Sequence, residues 1–145
     1  MTDTLAYGPA PEDKTVVYLT NNRSGSGFLR QALIEEYSLE NIFMFGVLAN
    51  PERGLESGSM EQLREVAPTG KYKLYFGHLP WGIHQLMPGP VEYAVTIRDP
   101  VERVLSLYDS TIVRRQENPP ALADWIGGMP DAVNGMVKRM CGIDF

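Results

Sequence analysis

The chain has little cysteine, no excess of basic charge and no long apolar run, and each shortage closes a class of function. Its only cysteine is Cys141, so neither an intrachain disulfide nor a multi-cysteine zinc site can form. The formal net charge is −5 over 145 residues, which gives no bulk attraction for nucleic acid or an anionic membrane. Any anion site must therefore be a local cluster of cations. No apolar run approaches the roughly 20 residues of a membrane helix, and the polar start has neither the basic nor the apolar region of a signal peptide. A reducing, cytoplasmic setting is the resulting expectation. The two histidines, His78 and His84, stand in no zinc-ligand spacing, and no metal site is expected.

What is present is an alternation of short strand and helix signals. After a polar, proline-bearing segment at 1–14, read as flexible, residues 15–145 fit a single domain. "TVVYLT" (15–20) is β-branched and aromatic and predicts a buried strand. A helix is predicted over Gly27 to Tyr37, with Phe28, Leu29, Ala32, Leu33 and Glu36 on one face. "NIFMFGV" (41–47), "KLYFGHL" (73–79) and "VEYAVTI" (91–97) predict three more strands. "MEQLREVA" (60–67) predicts a short helix capped by Ser59. "RDPVERVLSLYDSTIVRR" carries the strongest helix signal, with Asp99 as cap, Pro100 at the first position, and Val101, Val104, Leu105, Tyr108 and Ile112 on the buried stripe. Two further helical pieces pass through Trp125 and Met136. Strands alternating with helices predict an α/β domain with a mostly parallel sheet, in which ligands bind beyond the carboxyl ends of the strands.

Three polar clusters fall at those ends. "NNRSGSG" follows the first strand. Its glycines allow close backbone approach, and the helix after it offers unpaired N–H groups with a partial positive charge. Ser24 and Ser26 can add hydroxyls, and Arg23 adds a permanently charged fork of donors. The alternative is a glycine-rich turn capped by Ser26 with Arg23 in solvent. The loop is not a nucleotide P-loop of the G-x-x-x-x-G-K-[ST] type, because no Gly-Lys-Ser or Gly-Lys-Thr exists. Nor does it fit the dinucleotide fingerprint, since Arg30 stands where the third glycine belongs.

"IRDPVERVLS" puts Arg98 at the end of a strand and Ser106 two turns into the following helix, where a guanidinium and a hydroxyl can hold a second phosphate. Arg98 paired with a nearby carboxylate and Ser106 at a packing contact is the competing reading. Arg103 reads as an exposed helix charge or ion-pair partner. "YFGHLPWG" puts His78 after a strand, beside glycine, in the position of a general base, or of a half-buried histidine bonded to backbone. His84 reads as structural.

With the three clusters in this order the chain resembles sulfotransferases that use 3′-phosphoadenosine 5′-phosphosulfate (PAPS). "NRSGSGFLRQAL" is similar to their 5′-phosphosulfate loop, in particular the arginine-bearing "PRSGTT" type of protein-tyrosine sulfotransferases. "YAVTIRDPVERVLSLYD" resembles the 3′-phosphate segment of carbohydrate sulfotransferases and their bacterial relatives. "YFGHLPWG" resembles the Gly-His segment of the 2-O-sulfotransferase branch, and "NGMVKRMCG" resembles a helix downstream in that family. The resemblance spans roughly residues 15–142 and implies the family's P-loop-like, three-layer α/β fold. It implies that Arg23, Ser24, Gly25, Ser26, Gly27 and Phe28 bind the 5′ end of PAPS, that Arg98 and Ser106 hold its 3′-phosphate, and that His78 takes the proton of an acceptor hydroxyl on a small molecule or carbohydrate while Arg23 meets charge on the leaving phosphate. No metal is implied.

Gly27 and Phe28 stand where the family usually has hydroxyl residues, so part of the implied 5′ contact falls to backbone. Family members generally continue beyond the equivalent of Phe145 with segments that complete the pockets. The second expectation is therefore a non-catalytic nucleotide-binding or interaction module, and the third a P-loop-like kinase, which the missing Gly-Lys-Ser/Thr disfavours.

Overall fold

The computed structural model describes residues 14–46, 56–129 and 135–141. Four strands, β1 (Thr15–Leu19), β2 (Ile42–Phe45), β3 (Leu74–Gly77) and β4 (Val91–Val95), form one sheet. They run in the order β2-β3-β1-β4, and all pairings are parallel. The described α-helices are α1 (Ser26–Tyr37), α2 (Met60–Val66), α3 (Pro100–Tyr108), α4 (Leu122–Gly127) and α5 (Gly135–Met140). The α/β class and parallel sheet expected from the alternation are what the chain adopts. Residue 14 apart, the segment read as flexible lies outside the described residues, as does residue 47 at the end of the second strand signal.

The period of two in each strand builds two cores, one on each face. On one face, Val17, Leu19, Phe43 and Tyr75 pack with Leu63 of α2, Ala67 in the 3-10 turn that follows it, and Leu79, Ile83 and Met87. On the other, Ile42, Met44, Leu74 and Phe76 pack with Val16, Tyr18 and the α1 residues Leu33, Ile34 and Tyr37. The result is a three-layer arrangement of helix, sheet and helix. β3 is paired on both edges and every one of its residues is buried, whereas β4 is an edge strand with Val95 39% exposed.

The helices depart from their expected faces. α1 has no buried residue. Its inward stripe is Leu33, Ile34 and Tyr37, while Phe28 is 88% exposed. Phe28, in the first turn, belongs to neither core. α3 is also turned from its expected stripe: Val101 and Leu105 are exposed, and Arg103, read as an exposed charge or an ion-pair partner, is 2% exposed beside buried Leu107. A helix following the edge strand is covered over a narrow strip only, and apolar spacing alone does not say which strip. The helix signal also stops sooner than its period implies. The hydroxyls of Ser110 and Thr111 both donate to the carbonyl of Leu107, and the chain widens into a π-helical turn over Asp109–Val113, as back-bonding hydroxyls favour.

Capping follows the sequence more closely. Asp99 accepts from the backbone N–H of Glu102 at 2.9 Å with Pro100 in the first turn. Ser59 and Gln62 close a full capping box on α2. α1 differs: Gly25, not Ser26, is its cap residue, and no side chain bonds there.

Candidate functional site

Parallel register aligns the carboxyl ends of the strands. Leu19 lies opposite both Gly77 and Val95, and Phe45 lies opposite Gly77. Strand order reverses around β1: the chain leaves it toward β2 and β3 on one side and later returns to β4 on the other. The loop after β1 therefore sits at the switch point of the sheet, where such folds place ligands.

That loop, residues 20–25, is pinned from several directions. Asn21 is buried, its side chain donating to the carbonyl of Thr96 at 3.3 Å. Tyr18 and Thr96 join through their hydroxyls. The Ser24 hydroxyl donates to the carbonyl of Asn21 at 2.7 Å, so it closes the turn instead of facing a ligand. Arg23 holds φ at 65° and Gly25 at 84°. The first is an uncommon conformation for a residue with a Cβ and is a local strain. Phe28 donates its N–H to the carbonyl of Gly25 at 3.1 Å. Among the described residues the N–H groups of Gly25, Ser26 and Gly27 make no hydrogen bond. A Cβ added at Gly25 or Gly27 would meet nothing within 4 Å. The positive end of α1 thus opens onto space.

Two cavities meet at this helix end. One of about 480 Å³ is lined by Thr20, Asn22, Arg23, Ser26, Gly27, Arg30, Gly46, Phe76 and His78. The other, of about 260 Å³, is lined by Arg23, Gly25, Ser26, Gly27 and Arg98. Arg23, Ser26 and Gly27 belong to both. A third cavity of about 380 Å³ lies between β2 and α2 and gathers none of the candidate residues.

The Arg23 Nε donates to Ser106 Oγ at 3.0 Å, and Arg98 Nη1 donates to the carbonyl of Arg23 at 3.2 Å. Arg23, Arg98 and Ser106 are thus one cluster, although Arg23 was read with one phosphate and the other two with a second. Arg98 also faces Glu102, with Nε and Oε2 3.4 Å apart and both side chains substantially exposed, a pairing that water and salt weaken.

His78 is held from both neighbouring strands. Its N–H donates to the carbonyl of Phe45 at 2.9 Å. Its Nδ1 lies 3.0 Å from the carbonyl oxygen of Thr20 and 3.0 Å from Thr20 Oγ1. Gly77 before it is obligatory: φ is 143°, and a Cβ there would lie 1.8 Å from the carbonyl oxygen of Phe45. His84 is placed elsewhere, its Nδ1 2.9 Å from the hydroxyl of Tyr93.

Thr20, Asn22 and Arg30 line the larger cavity without having been singled out. Thr20 ends an apolar run, and only the pairing of β1 with β3 brings it to His78. Arg30 had a readable signal, since it follows Ser26 and Gly27 at helical spacing. No cluster of His, Cys, Asp and Glu able to hold a metal forms among the described residues. No described helix is long and apolar enough to cross a membrane. No protein-family model, curated protein or solved structure matches the chain.

Proposed function

We propose that this protein is a sulfotransferase that moves the sulfuryl group of PAPS to an acceptor hydroxyl. The observation that carries the reading is the meeting of His78, Arg23 and the uncapped N-terminus of α1 on one cavity at the switch point of a parallel sheet. Three free N–H groups and a guanidinium suit an anion. The smaller cavity, with Arg98 and Arg23, suits a second anionic group of the same ligand. Gly25 and Gly27 leave room for close approach, which supports backbone contact where the resembling family uses hydroxyls.

The chemistry needs few groups. The acceptor oxygen attacks sulfur in line as the bond from sulfur to the 5′-phosphate oxygen breaks. The hydroxyl proton passes to His78, and the departing phosphate keeps the electron pair. Arg23 and the helix end meet that growing charge, and such preorganised donors act most strongly in the transition state.

The test uses adenosine 3′,5′-bisphosphate, ATP and a sulfate-transfer assay. Selective thermal stabilisation by the bisphosphate is expected, and ATP alone stabilising the protein would overturn the nucleotide assignment. His78→Asn keeps a donor near the place of Nδ1 and removes the base. Transfer should fall by ~10²–10⁴-fold with bisphosphate affinity and melting temperature held. A folded His78→Asn that transfers at the parental rate refutes the base. Bisphosphate binding without transfer to any acceptor favours the binding-module alternative.

A further inference from the structure

We propose that Thr20 is a positioning residue that holds the His78 ring as its Nδ1–H tautomer and so leaves Nε2 as the proton acceptor. The catalytic consequence rests on the transfer reading above, and the tautomer does not. A carbonyl oxygen can only accept, so the 3.0 Å contact between Nδ1 and the Thr20 carbonyl requires the proton on Nδ1. The Thr20 hydroxyl, at the same distance, can accept from that N–H or donate to a bare Nδ1, so the carbonyl is the contact that decides. With the proton on Nε2 instead, the Nδ1 lone pair would point at the carbonyl lone pairs, an unfavourable contact in a buried place. Thr20 is 2% exposed, so the contact is shielded from bulk solvent.

Thr20 is itself fixed. Its N–H donates to the carbonyl of Gly77 at 2.8 Å, so the residue that follows β1 grips both the backbone before His78 and its ring. The histidine backbone is held from the opposite side by Phe45. The ring can neither flip nor change tautomer without breaking these contacts. Nε2 makes no hydrogen bond among the described residues, and His78 lines the larger cavity with Arg23 and the start of α1. A base whose second nitrogen is held by a protein acceptor loses none of its reactive nitrogen to the wrong tautomer.

The experiment reads the tautomer directly. The ring nitrogens of the ¹⁵N-labelled protein are followed by NMR where the rings are neutral, and the two histidines are told apart with His84→Gln. We expect Nδ1 protonated and Nε2 bare in His78, the reverse of the form that free imidazole side chains favour in water. A predominant Nε2–H form overturns the proposal, whatever the protein's activity, and needs no substitution at Thr20. The second arm is Thr20→Val, which keeps shape and carbonyl and removes the hydroxyl. The carbonyl remains and no neighbouring group is left to donate to a bare Nδ1, so His78 should stay in the Nδ1–H form. A shift to the Nε2–H form in folded Thr20→Val overturns the assignment of the tautomer to the Thr20 carbonyl. If no acceptor is sulfated, the transfer reading fails and the ring spectrum still decides the tautomer.

Discussion

His78 and Arg98 flank the same loop, and the chain builds the two sides differently. His78 leaves β3, an interior strand buried along its whole length, through a glycine with no space for a side chain. Its backbone is hydrogen bonded to β2 and its ring to Thr20, the residue that follows β1. Arg98 follows β4, an edge strand, and leans on an exposed carboxylate and one loop carbonyl. A proton acceptor works only at one position and orientation, so it profits from rigid strands on either side. A phosphate clamp needs charge and reach, which a long side chain on an exposed margin supplies, provided that Glu102 yields to the ligand. The comparison separates a part of the site that cannot move without unfolding the sheet from a part that can adjust.

The hardest blow to that contrast is Gly77→Ala. Relief of a contact as short as 1.8 Å and of a φ reserved for glycine requires β2 and β3 to part, and we expect a loss of at least about 4 kcal/mol, at the extreme of single substitutions. Denaturant unfolding measures it, and a loss under about 1 kcal/mol would mean that the His78 side is not rigid.

Alkaline pH loads the same interior strand. The Tyr75 hydroxyl is fully buried without a hydrogen-bond partner. Burial first, and neighbouring Tyr72 second, push its pKa up to about 12 from 10.0. In the unfolded chain it ionises near the ordinary value, so the unfolded state holds fewer protons than the folded one between the two. The contribution to stability is whole below about pH 10, falls as pH rises from there, and levels off above about 12, for a total of roughly 2–3 kcal/mol. Tyr75→Phe should remove this component, read as the difference between parent and variant in stability at pH 9 and pH 11.5. Parallel curves for the two proteins would contradict it.

The smallest expected effect on stability is on the other side. Arg98→Ala should leave the melting temperature within a few degrees, because its contacts are exposed, and should weaken adenosine 3′,5′-bisphosphate by roughly 1.5–3 kcal/mol, the range for a charged hydrogen bond. Calorimetry checks both. A large loss of stability would show that the clamp side is as structural as the base side, and unchanged affinity would remove Arg98 from the site.

Local signals were legible where local chemistry decides. Pro100 after Asp99, and Ser59 before the run from Met60, named two helix starts that the structure keeps. The four strand signals each produced a strand, shorter than its signal by one to three residues. The faces of α1 and α3 were not legible. An apolar spacing names a stripe, but which stripe is covered depends on which part of α1 lies against the sheet and on how little of α3 the edge strand covers, and Arg103 beside Leu107 shows how far that can override charge.

The residues alone determined the alternation of strands and helices, the glycine-rich loop with its arginine, the Gly-His and Arg-Asp-Pro turns, and the expectation that they gather at strand ends. These are properties of neighbours in sequence, set by backbone propensity, capping and the need of buried strands for apolar side chains. Strand order and register belong to the tertiary structure, because pairing joins segments dozens of residues apart and no local pattern carries that choice. Only the pairing of β1 with β3 sets Thr20 against His78. Only the placing of β4 beside β1 lets Arg98 and Ser106 reach Arg23, so that two readings of separate phosphate contacts became one cluster of side chains.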